Sequence, residues 1–127
     1  MQERHLFEYA VIRVVPKVER EEFINVGVIL YCSSEGFLKT AFEWNEQRLQ
    51  AFARELNLDE VKQRLLAFER ICAGKKEGGP IGQLSLAQRF RWLTAARSTI
   101  VQTSAAHPGL CTSATETLSK LYTQLVT

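Results

Sequence analysis

The chain has 127 residues, of which 46% are hydrophobic and 24% charged, with a formal net charge of +2. That is enough chain to bury one core without disulfide staples, and too little charge for a general nucleic-acid-binding tail. No apolar run approaches the roughly 20 residues that span a bilayer, and the opening MQERHLFEYAV has no apolar stretch leading to a small-residue cleavage site, so the expected location is the cytoplasm.

Residues 9–15 and 26–31 are nearly continuous apolar runs rich in Val, Ile and Tyr. Such runs predict central strands buried on both faces. Pro16 ends the first, because it has no N–H to offer a ladder. The connector 17–22 holds three acids and two basic residues and is expected at the surface. Ser33-Ser34-Glu35-Gly36 has turn chemistry, and residues 37–44 make a third strand through Phe37, Thr40, Phe42 and Trp44. Short connections between the three predict an antiparallel meander.

The pattern then turns helical. Asn45 caps a helix carrying Leu49, Phe52 and Leu56; Asn57-x-x-Glu60 opens a second with Val61, Leu65, Phe68 and Cys72 on one stripe, and Gly74 stops it. Residues 74–82, GKKEGGPIG, are expected to be the most flexible segment, a loop with four glycines and a proline. Ser85-x-x-Gln88 caps a third helix with Leu86, Phe90 and Leu93 inward. Residues 99–104 read as a fourth strand or as a helix continuation, and His107-Pro108-Gly109 as a turn. Ser113-x-x-Glu116 opens a last helix bearing Leu118, Leu121, Leu125 and Val126. The expectation is a single α+β domain over 1–127, with a three-stranded N-terminal antiparallel meander, a fourth strand near 99–104 and four helices packed on the sheet.

Familiar catalytic chemistry is missing from this pattern. His5 and His107 lie on unrelated segments, and Cys32, Cys72 and Cys111 form no CxxC pair, so no disulfide framework, metal site or cofactor is expected. Cys32 and Cys72 read as buried packing residues. The glycines of 74–82 follow a helix, where a phosphate-cradling loop would precede one. Residues 9–15 hold no carboxylate, which argues against the two-metal chemistry of an RNase H-like sheet. Cys111 near His107 has nothing to orient it as a nucleophile.

The informative residues are polar ones in apolar surroundings. Arg13 is a permanent cation within a strand and must pair, reach solvent or hold an anion. Glu22 or Asn25 could brace it across a hairpin. Gly27 suits a bulge or a close backbone approach. Arg89 and Arg97 flank the third helix's apolar stripe, with Arg91 opposite Arg89, and beyond Glu77 four basic residues face Glu116 alone. Such arginines usually snorkel over the core edge, and that is the leading reading here, while the missing local partners strengthen the case for an anion, an acidic protein or RNA. Trp44 and Trp92 read as core or partner contacts.

Tyr9-Ala-Val-Ile-Arg13-x-x-Pro16 followed by Glu22-Phe23-x-Asn25-Val26-Gly27-Val28 resembles the N-terminal signature of a bacterial family, the domain-of-unknown-function family 3037. Arg89-Phe90-x-Trp92-Leu93, Arg97-Ser98-Thr99, Gln102-Thr103-Ser104 and His107-Pro108-Gly109-Leu110 resemble its C-terminal signature, and the closing helix over 118–126 fits. Residues 45–83 carry no recognised signature. The resemblance implies no activity. It points loosely to a protein partner such as a kinase resembling the HipA toxin, and it would carry a site to Arg13, Glu22, Asn25, Arg89 and Arg97. The resulting expectation is a binding or accessory protein that engages an acidic partner or phosphate-bearing ligand through Arg13, Asn25, Arg89 and Arg97, with Pro16 and Gly27 structural. A phosphate-ester or nucleotide enzyme using Glu22 as acid or base is the alternative, and a nucleic-acid-binding module comes third. Homo-oligomerisation stays open.

Overall fold

The computed structural model describes residues 3–127. Its sheet is built from β1 (His5–Val14), β2 (Ile24–Cys32), β3 (Phe37–Phe42), β4 (Val101–Thr103) and β5 (His107–Cys111), all antiparallel to their neighbours. The order is β3-β2-β1, with β4 and β5 sharing the far side of β1. The helices are α1 (Glu46–Phe52), α2 (Leu58–Ala73), α3 (Gly79–Gly82), α4 (Leu86–Leu93) and α5 (Ala114–Leu125). Among the described residues no helix is long and apolar enough to cross a membrane.

Helices cover both faces of the sheet, which explains the unbroken apolar runs in β1 and β2. On one face Ala10, Ile12, Val14 and Ile29 pack with Val61, Leu65 and Phe68 of α2 and Phe90 and Leu93 of α4. On the other Phe7, Val28, Leu30 and Cys32 pack with Ala114 and Leu118 of α5. The expected meander is present, and residues 101–103 of the stretch 99–104 are strand.

The caps follow the sequence. Asn45 Oδ1 accepts from the Arg48 N–H at 3.0 Å, Asn57 Oδ1 from Glu60 at 3.1 Å, and Ser85 and Gln88 form a reciprocal capping box. Gly74 ends α2 at a φ of 71°.

Gly27 sits at a bulge. Ile12 pairs with Gly27 and Arg13 with Asn25, so Val26 is the extra residue in β2. A Cβ on Gly27 would lie 2.6 Å from Phe42 Cβ and 2.7 Å from the Ala41 carbonyl oxygen. Close approach by β3 therefore requires glycine here.

Two expectations need correction. His107-Pro108-Gly109 is the start of β5 and not a turn. Pro108 is tolerated because β5 has a strand on one side only, and Gly109 leaves room for the Phe7 ring, whose Cζ would be 2.5 Å from an added Cβ. Between β4 and β5 the Ser104 hydroxyl accepts the Val11 N–H at 2.9 Å, while the Ser104 N–H donates to the Val11 carbonyl at 2.9 Å. Residues 74–82, expected as one flexible loop, instead form a 3₁₀ turn over Lys76–Gly78 followed by α3, which makes a fifth helix.

Candidate functional site: two arginine–aromatic pairs

Arg13 leaves β1 on the α5 side of the sheet by strand alternation, and its guanidinium lies 4.0 Å from the centre of the Phe23 ring. Phe23 is exposed, so the pair is an arginine–aromatic contact at the surface. Glu22 does not brace it; that carboxylate takes Arg20 at 2.6 Å in the connector. Among the described residues no carboxylate comes within ion-pair distance of Arg13. Its cross-strand neighbour Asn25 donates from Nδ2 to the Leu125 carbonyl of α5 at 3.2 Å. Arg13 Nε and Asn25 Oδ1 are both buried without a hydrogen-bond partner, one a donor and the other an acceptor.

Arg89 stands elsewhere. It is buried against the end of α2, where Nη1 donates to the Cys72 carbonyl at 2.9 Å and reaches the Ile71 carbonyl at 3.4 Å. A cation there satisfies the Cys72 carbonyl, which the helix leaves open at its C-terminus, and complements the helix dipole. Arg91, which has no acid nearby in sequence, finds one in space: Nη1 and Nη2 donate to the two oxygens of Glu8 on β1 at 2.7 and 3.1 Å. The hydrogen bond to Glu8 and that carboxylate's charge raise the Arg91 pKa further.

Arg97 lies over the Trp92 ring at 4.4 Å, and its Nη2 donates to the Trp92 carbonyl. Burial lowers its pKa. The pair opens onto a groove of about 120 Å³ between α2 and α4, walled by Phe68, Ile71, Leu93 and Val101, with Arg64 as its second cation. Among the described residues no carboxylate lines it. Trp92 is 40% exposed.

The four residues expected to bind an anion or partner thus stand in three places. Arg13 and Asn25 share the α5 face, Arg89 closes α2, and Arg97 belongs to the groove on the opposite face. Glu22 lines a separate cleft of about 250 Å³ with Pro16, Lys17, Arg20, Arg54 and Glu55, where Lys17–Glu55 and Arg20–Glu22 pair off most of the charge.

Sequence reasoning passed over one constellation. Cys32, Glu35 and Cys111 bring their sulfurs and a carboxylate oxygen within 4.8 Å of one another. No spacing rule could reveal it, because the adjacency arises from β2 and β5 flanking the same strand, β1.

Comparison with curated proteins found no match, and neither did comparison with solved structures. A family model described as protein of unknown function (DUF3037) matches residues 9–126. That span covers both signature segments, from Tyr9 to the end of the closing helix. The chain belongs to the DUF3037 family.

Proposed function

We propose that this is a binding protein whose working surface is the Arg97–Trp92 groove, and that its partner is a protein segment placing a carboxylate beside an apolar side chain. The observation that carries the reading is the composition of the groove: apolar walls, two arginines and no acid. An apolar side chain would bury against Phe68, Ile71 and Leu93, at about 25 cal/mol per Å² of apolar surface removed from water. The adjacent carboxylate would meet a guanidinium already held over an indole ring. Part of the ordering cost of that arginine is therefore met before binding. A free phosphate would leave the apolar wall uncovered, which favours the acidic peptide over the small anion.

Arg13 with Phe23 is a second arginine–aromatic pair, and with Asn25 it fits an auxiliary contact on the other face. The enzyme alternative has less support, since Glu22 is an exposed connector residue tied to Arg20 and lies outside the groove.

Peptide display tests the proposal. Selection on the wild-type protein is expected to enrich sequences that combine Asp or Glu with Leu, Ile or Phe, and selection on Arg97→Glu is expected to lose them. Enrichment of no motif, or of one that Arg97→Glu and Trp92→Ala both retain, would count decisively against it.

A further inference from the structure

We propose that Cys32, Cys111, Glu35 and His5 form a binding site for a thiophilic divalent cation, zinc by the chemistry of the set. The four residues come from separate elements: the end of β2, the end of β5, the Ser33–Glu35 turn and the start of β1. They converge beside the first turn of α5. Two thiols, a carboxylate and an imidazole are the donor types that tetrahedral zinc takes, and the thiols select against magnesium and calcium.

Three of the four donors already lie close together. The Cys32 and Cys111 sulfurs and a Glu35 oxygen all lie within 4.8 Å of one another, and His5 Nε2 is 3.9 Å from Glu35 Oε1. Metal–ligand bonds of about 2.0–2.3 Å put tetrahedral donor atoms roughly 3.3–3.8 Å apart. His5 stands outside that group of three and has to turn its Nε2 inward to complete the set.

The surroundings already orient the donors. Ser34 Oγ sits 2.9 Å from His5 Nδ1. In the tautomer whose Nδ1–H donates to that hydroxyl, Nε2 is left unprotonated and able to ligate, the arrangement that metal-binding histidines adopt. Ser34 Oγ also lies 3.7 Å from the Cys32 sulfur. The Ala114 N–H points at the Glu35 carboxylate, 3.3 and 3.5 Å from its two oxygens, and holds it in place. Both sulfurs are buried, while His5 and Glu35 retain side-chain exposures of 22% and 29%, which gives an ion a way in. Bound there, the ion would join three strand ends to the start of α5.

Cobalt(II) is the probe, because thiolate-to-cobalt charge transfer absorbs in the near ultraviolet only when cysteines ligate. The reduced, chelator-stripped protein is expected to take one equivalent of cobalt with that absorption, to exchange it for zinc, and to melt at higher temperature when loaded. Cys72→Ser should retain the band, whereas Cys32→Ser and Cys111→Ser should lose it. His5→Ala, on a partly exposed side chain, should weaken affinity at least tenfold with the far-UV dichroism unchanged, which serves if either serine variant fails to fold. Absence of the band in the wild-type protein overturns the proposal. So does a band that survives in both serine variants, or full affinity in His5→Ala. Spontaneous pairing of Cys32 with Cys111 as a disulfide, with no cobalt uptake after reduction, overturns it as well.

Discussion

Arg89 donates from Nη1 to the carbonyl oxygen of Cys72 at 2.9 Å, so a side chain of α4 finishes the C-terminus of α2. The same guanidinium occupies the space beside Gly74, where an added Cβ would lie 2.0 Å from Nη1. Arg89→Ala leaves the Cys72 carbonyl without its donor, while the Gly74 N–H still serves Ile71, and is expected to cost about 1–3 kcal/mol. Urea unfolding should show a lower midpoint with an unchanged slope. Arg89→Lys should recover much of the loss, since a single nitrogen, Nη1, makes both carbonyl contacts.

Gly27→Ala tests the bulge. The methyl would meet Phe42 Cβ and the Ala41 carbonyl at distances no real contact adopts, so β3 must move away from β2. The expected loss is about 1–3 kcal/mol, the range for overpacking a closed site. Hydrogen exchange should localise the loosening to β2 and β3. A variant as stable as wild type would show that the strands separate at no cost.

Ser104→Ala removes the hydroxyl that accepts the Val11 N–H at 2.9 Å. Both residues are buried, Ser104 at 8% exposure, and the N–H would lose its partner in the middle of a central strand. About 1–3 kcal/mol of stability should go with it. The Val11 amide should exchange faster than its neighbours in β1.

Much of this fold was legible because local signals agreed with the tertiary outcome. The caps at Asn45, Asn57 and Ser85 and the apolar stripe of α2 each carry their own start, stop or period. The strand His107–Cys111 was not legible. Its Pro108 and Gly109 are turn signals locally, and what overrides them is the open edge and the Phe7 ring, neither visible in sequence. The same limit applied to the arginines. The residue order leaves Arg89, Arg91 and Arg97 without local partners and offers Glu22 to Arg13, but Glu8 on β1 and the end of α2 claim two of the three through contacts far apart in sequence, and Glu22 goes to Arg20.

Cys72 offers a pH test. Burial among apolar neighbours is the main reason its thiol is pushed up from 9.0 to about 12, with Arg89 pulling the other way. A folded-state pKa above the unfolded value means this thiol supports folding fully below about pH 9. That contribution fades as the pH rises from 9 toward 12. In the native state at pH 8, alkylation of Cys72 should therefore be far slower than in urea. Rapid native labelling at Cys72, mapped by mass spectrometry, would contradict the packing described for α2.

The groove is the centre of the account, and Trp92 reports on it directly. The chain has two tryptophans, so Trp44→Phe leaves Trp92 as the sole indole. Titrating that protein with an acidic–apolar peptide selected on the wild type should give a saturating change in Trp92 emission. Arg97→Glu in the same background should weaken it at least tenfold, and Arg13→Ala should change it little. No change in emission on adding peptide, or equal affinity with Arg97→Glu, would contradict the assignment of this surface.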